Sequence, residues 1–79
     1  GFTATLGAAR HATLVTTDSE LRAVQFEPAG QMRATVSVTN PASLDQWESA
    51  AASFGFIVRR GAVTTANGRT QADMELALP

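Results

Sequence analysis

Apolar positions recur along this chain with two different periods, and the switches between them mark out successive elements. Residues 2–16 carry Phe2, Leu6, Ala9, Thr13 and Leu14 at spacings of four, three, four and one, with no proline inside. That spacing predicts a helix with a modest apolar stripe, diluted by threonines. Asp18-Ser19 supplies a break, and from Leu21 to Glu27 the pattern alternates, with Val24 and Phe26 on one face and Gln25 and Glu27 on the other. Pro28-Ala29-Gly30 then reads as a turn. Gln31 to Thr39 alternates more clearly, Met32, Ala34, Val36 and Val38 against Arg33, Thr35 and Ser37. The two segments form a hairpin.

Asn40-Pro41 opens the second half. Asparagine at a helix cap and proline at the first helical position satisfy or remove free N–H groups; Ser43, three residues before Gln46, offers a second capping position. Leu44, Trp47, Ala51 and Phe54 follow at i, i+3, i+7 and i+10, an apolar seam on a helix that Gly55 ends. Phe56 to Thr65 reads as a strand, Ala66-Asn67-Gly68 as a tight turn and Arg69 to Leu78 as the last strand, where Ala72, Met74, Leu76 and Leu78 alternate with Gln71, Asp73 and Glu75. The order is αββαββ. Two amphipathic helices and half-polar strands predict an α+β, two-layer sandwich, with both helices on one face of a four-stranded antiparallel sheet. This is a ferredoxin-like layout circularly permuted, its first strand moved to the end of the chain.

Composition narrows the function more by exclusion than by assignment. The 79 residues make a single domain, 1–79, and contain no cysteine, which excludes disulfide scaffolds, zinc ribbons, iron–sulfur clusters and thiol catalysis. The net charge of −1 and a mean hydropathy near zero recommend neither nucleic acid nor an anionic membrane as a partner. No apolar run is long enough to cross a bilayer. The chain opens on Gly1-Phe2, without an initiator methionine, and reads as a domain excised from a longer protein.

Candidate chemistry is sparse. His11 is the sole histidine, with no carboxylate beside it to orient it, and reads as a polar residue on the outer side of the first helix. Asp73 and Glu75 share a strand face, where alternating carboxylates serve solubility and edge protection; Asp45 and Glu48 complement the dipole of the second helix. Arg59, Arg60 and Arg69 form the one basic cluster, with Asp73 and Glu75 as the expected cross-strand partners. The exposed stacking aromatics of an RNA-binding sheet are absent from the pattern. Trp47 falls at a core spacing. No catalytic residue, metal site or cofactor is expected. What remains is an interaction surface: the first helix, with an apolar stripe and small residues at Gly7, Ala8, Ala9 and Ala12, is one location and a strand edge another, while the same stripe also fits a helix that simply packs on its own sheet. The expected interface is Phe2, Leu6, Ala9, Thr13 and Leu14 with Val24 of the adjacent strand.

Residues 21–78 also resemble a known family. Leu21 to Phe26, Met32 to Val38, Pro41 to Trp47, Phe54 to Val58, and Asn67-Gly68-Arg69 leading into Met74 to Leu78 are similar to the C-terminal periplasmic domain of protein L of the bacterial type II secretion system. The resemblance rests on apolar patterns rather than catalytic motifs. It implies the permuted ferredoxin-like fold and a parent protein of the inner membrane with a single membrane anchor outside this chain. It further implies a cytoplasmic part that docks the secretion ATPase, and this domain on the periplasmic face. The implied work is non-catalytic assembly: homodimer formation, pairing with protein M, and coupling of the ATPase to pseudopilus growth and protein export. The periplasmic domain of protein M and the type IV pilus alignment proteins carry similar patterns and stay open as readings. So does a regulatory ferredoxin-like domain that binds a small molecule at its helix–strand loops. An acyl-phosphate hydrolase needs an arginine and an asparagine converging on an anion loop, and the surroundings of Arg10 and Asn40 form none.

Overall fold

A computed structural model describes residues 2–79, the side chain of Phe2 excepted. The elements follow the expected order: α1 (Phe2–Val15), β1 (Glu20–Phe26), β2 (Met32–Val38), α2 (Ser43–Ala52), β3 (Ile57–Ala66) and β4 (Arg69–Ala77). The four strands form one antiparallel sheet in the order β1-β2-β4-β3. The central pair, β2 and β4, supplies the sheet's share of the core: Met32, Ala34, Val36 and Val38 from one, Ala72, Met74 and Leu76 from the other, all buried. Strict alternation is what allows this, because period-two side chains put one face of each strand against the helices and leave the other wet.

The helices complete the core in unlike ways. From α2 come Leu44, Trp47 and Ala51, three of the four seam positions expected from the sequence; the fourth, Phe54, lies past the helix end at Ala52 and is exposed. From α1 come Thr5, Ala8, Ala9 and Ala12, with Thr16 just past its end. The stripe expected on α1 is therefore rotated: of its described members only Ala9 is fully buried, Leu6 and Thr13 are half-buried, and Leu14 is 80% exposed. The physical reason is space. Alanines allow α1 to lie close to α2 and the sheet, so the small-residue side, not the leucine side, faces inward.

Two bulges interrupt the edge strands and reset the alternation. In β1, Leu21 faces Val36 and Ala23 faces Thr35, so Arg22 is the extra residue. The bulge lets Leu21 and Val24, an odd and an even position, pack against the same core. In β3, Arg60 faces Met74 and Val63 faces Ala72, leaving Gly61 and Ala62 opposite Asp73. A Cβ on Gly61 would stand 3.2 Å from the Asp73 carbonyl oxygen, closer than the strands allow without yielding. The β3–β4 turn is Asn67-Gly68, both with positive φ (54° and 76°), the backbone that a two-residue hairpin turn with the strand's own twist requires.

The entry to α2 differs from the expected cap. Ala42 stands at the cap position without a side-chain hydrogen bond, and the helix starts at Ser43. Asn40 acts one step earlier: its Oδ1 accepts the N–H of Ala42 at 3.0 Å and shapes the lead-in turn through Pro41.

Candidate interaction surface

The side chains that tie the sandwich together also decide which surfaces are left over. Asp18 follows α1, and its Oδ2 accepts the N–H groups of Thr39 (3.0 Å) and Asn40 (2.9 Å) and the Thr39 hydroxyl (2.9 Å). The Asn40 N–H, the Ser43 hydroxyl and both Thr39 donors hold the Asp18 carboxyl well below the usual carboxylate range. One carboxylate thus fastens the α1–β1 loop to the β2–α2 loop. Arg69 closes the same end, donating from Nε to the Ser37 hydroxyl (2.8 Å) and from Nη2 to the carbonyls of Ser37 (3.1 Å) and Asp18 (3.3 Å). Its nearest carboxylate is Glu20 at 3.8 Å.

Arg60 departs from the expected cross-strand pairing. It projects to the helix face and pairs with Glu48 (2.5 Å) and Asp45 (2.6 Å) of α2. The Glu48 hydrogen bond first, then Asp45, raises its pKa further, so the guanidinium stays charged. Arg59, one residue earlier, lies on the other face opposite Glu75. The run of two arginines splits because adjacent strand residues point to opposite faces. Asp73 receives the Thr35 hydroxyl at 3.1 Å. The open face of the sheet is accordingly a polar mosaic of Arg33, Arg59, Asp73, Glu75, Thr35 and Gln71, with a shallow open depression beside the β3 bulge.

Trp47 is wholly buried, and its Nε1–H donates to the Thr13 hydroxyl at 3.1 Å, while that hydroxyl donates to the Ala9 carbonyl at 2.8 Å. His11 is exposed, its ring edge-on to Phe54 at 5.2 Å. No group of three or more metal-ligating side chains occurs among the described residues, and no described helix is long and apolar enough to cross a membrane.

The residues expected at the interface occupy three kinds of place. Ala9 belongs to the core and Thr13 to the Trp47 hydrogen-bond chain. Leu6 and Val24 are half-buried and pack against the core, from α1 and from edge strand β1. Leu14 is open on the outer side of α1, with Val15 beside it also exposed. The side chain of Phe2 lies outside the described residues. Leu14 and Val15 are thus exposed near the end of α1, while Leu6 of α1 and Leu21 and Val24 of β1 are partly covered by packing against the core. Sequence reasoning missed the Asp18 clamp, because its partners lie 21 and 22 residues away and no local pattern announces them. The alternation itself, carried one step further, separates Arg60 from Arg59 and is the signal that finds the α2 ion pairs.

No protein-family model matches this chain, and no curated protein matches it. Solved structures do. The periplasmic domain of XcpY superposes with a TM-score of 0.85 at 17% identity, covering 98% of this chain and all of that one. The periplasmic domain of EpsL from Vibrio parahaemolyticus gives 0.79 at 15% identity, covering 98% and 93%. At these identities the likeness establishes the architecture: this chain has, over its whole length, the fold of those periplasmic domains.

Proposed function

We propose that this chain is the periplasmic domain of a type II secretion protein L and serves as a non-catalytic assembly module of the inner-membrane platform. The observation that carries the reading is the end-to-end match with XcpY and EpsL, both of the protein L family, together with the residue-level resemblance spread over residues 21–78. The match leaves no element of this chain unpaired and scarcely any of the other two. The sequence pattern points the same way independently of the shape.

In this reading the domain pairs with a second copy and with protein M, and its parent carries the membrane anchor and the contact with the secretion ATPase. The α1–β1 side is a docking surface. Leu14 and Val15 leave apolar area in water that the domain's own core does not use, and β1 stands at the edge of the sheet. The test is sedimentation velocity of this domain mixed with the protein M periplasmic domain, for the unmodified chain and for Leu14→Arg. A mixed species that forms with the first and is lost with the second is the expected result. A domain that ignores protein M at all concentrations overturns the reading.

A further inference from the structure

The two ends of the sandwich are finished differently. At the end closed by Asp18 and Arg69 the connections are residues 16–19, 39–42 and 67–68, which contain no large apolar residue. At the opposite end they are residues 27–31 and 53–56, with 78–79 after the last strand. Strand register sets Phe26, Met32, Leu76 and Val58 in one row across the sheet there, with Ile57 and Ala77 one step further out. Phe26, Phe54, Ile57 and Leu78, all of this end, are between 41% and 74% exposed. They are four of the seven large apolar side chains exposed among the described residues, so the apolar surplus is concentrated here. The connections of this end carry a single charge, Glu27, which lies 3.9 Å from Arg33.

We infer that this end rests on a lipid bilayer, with Phe26, Phe54, Ile57 and Leu78 in the boundary between headgroups and acyl chains and the Asp18 end pointing away. Shape, charge and chain path select lipid as the occupant. The four side chains come from separate segments and span the width of the sheet, three strand spacings or about 14 Å. The depression between the Ala29-Gly30 turn and Leu78 is open, so the rim suits a flat apolar surface better than a bound peptide. With a net charge of −1 and an almost uncharged rim, contact comes from apolar insertion and not from attraction to anionic lipid. Helix α1 runs into the Asp18 connection, so its first turn lies about 20 Å back from it, and β4 starts at Arg69 and runs the same way. A segment joined at either terminus therefore emerges through the apolar end. No described helix crosses a membrane, so the domain lies on the interface and does not span it.

The inference rests on the assembly reading, which joins the domain to a membrane anchor, and adds an orientation to it. Leu14 and Val15 lie in the last turn of α1, toward the Asp18 end. With the opposite end on the bilayer, they stay clear of lipid and open to a protein partner. Contact through four side chains is weak by itself and depends on the tether, which keeps the domain at high effective concentration beside the membrane.

Because the chain has no cysteine, a fluorophore on a single introduced cysteine reports on one place at a time. Ala29→Cys and Ser53→Cys mark the apolar end and Thr17→Cys the Asp18 end, all three at exposed positions. The chain is held by a flexible histidine tag ahead of Gly1 on vesicles of phosphatidylethanolamine and phosphatidylglycerol that contain a nickel-chelating lipid and acyl chains brominated near the headgroup. The labels at Ala29 and Ser53 are expected to be quenched and the label at Thr17 to keep its emission, at low and at high salt alike. Phe54→Ser, Ile57→Thr and Leu78→Ser together keep the tether and remove most of the rim. They are expected to restore emission at Ala29 and Ser53 with the thermal transition little changed. Equal emission at all three positions, or quenching that the triple variant keeps, overturns the inference. Release by salt overturns it too, since it would mark attraction between charges. If the labels stay bright while the triple variant loses the mixed species with protein M, the rim belongs to that partner and not to lipid. Failure of the unmodified chain to bind protein M counts against the assembly reading and leaves the quenching result to be judged by itself.

Discussion

Helix α2 reaches the core with Leu44 and Trp47, and Asp45 and Glu48 on its flank grip Arg60 of β3. Helix α1 reaches the same core with Thr5, Ala8, Ala9 and Ala12 buried and Leu6 packed partly against it, and points Leu14 outward. One helix is attached by volume and charge, the other by closeness. The contrast teaches where each helix has something to spare. A helix seated on large side chains spends its apolar surface internally. A helix seated on alanines lies close and keeps its larger apolar residues for another surface. Trp47 joins the two modes, since its indole is buried from α2 while its N–H is satisfied by Thr13 of α1.

The heaviest blow to this comparison is Trp47→Ala. It removes the largest fully buried side chain and leaves a cavity between the helices and the sheet. The expected cost is about 3–5 kcal/mol. That approaches the whole stability of a chain this short, about 4–12 kcal/mol at the usual value per residue. Urea unfolding followed by circular dichroism checks it. Trp47→Phe separates volume from the hydrogen bond to Thr13 and should cost much less; equal losses for the two would mean that volume is not what seats α2.

Next comes the alanine seam. Ala9→Leu forces a larger side chain into the close approach of α1, and overpacking of this kind costs about 1–3 kcal/mol. The same substitution at Ala4, on the exposed side of α1, is expected to be nearly neutral. If both positions tolerate leucine equally, α1 is not held by closeness.

The asymmetry between the helices also explains how much of the molecule was legible beforehand. The α2 seam, the four strands, the Asn67-Gly68 turn and the layer arrangement follow from periodicity and turn chemistry, both local. The inward side of α1 did not follow, because hydrophobic spacing assumes that the largest apolar residues face the core, and on α1 alanine and threonine do so instead. Bulges cost a further step: one extra residue at Arg22 and another at Gly61–Ala62 shift the phase, so the faces of β1 and β3 cannot be read through by parity. The Asp18 clamp joins loops distant in sequence and has no periodic signature. The docking residues proposed on α1 were named from the same stripe, which is why that set mixes exposed Leu14 with core Ala9.

Asp18 supports both helices at once, holding the loop that ends α1 to the loop that starts α2, and its contribution is conditional on pH. Its folded-state pKa lies below the unfolded value of about 3.9, so the folded state favours the ionised form. The stabilisation is complete above that value and is lost progressively as pH falls through it toward the folded-state pKa. Asp18→Asn is therefore expected to lower the thermal midpoint at pH 7 and to flatten the acid limb of the stability profile between about pH 5 and pH 2. Thermal scans across that range check it. An acid limb as steep in the variant as in the unmodified chain would place the acid sensitivity elsewhere.

The smallest expected effect is the most informative about α1. Leu14 is 80% exposed near the C-terminal end of the helix, where a positive charge complements the helix dipole. If α1 spends nothing of Leu14 on its own fold, Leu14→Arg should change stability by no more than about 0.5 kcal/mol. A loss of 2 kcal/mol or more, measured by the same urea titration, would mean that Leu14 is needed inside the domain. The outward face of α1 would then have no apolar surplus to offer a partner. An unchanged midpoint with a lost mixed species would assign that side chain to docking, because the only property altered would be the surface presented to another molecule.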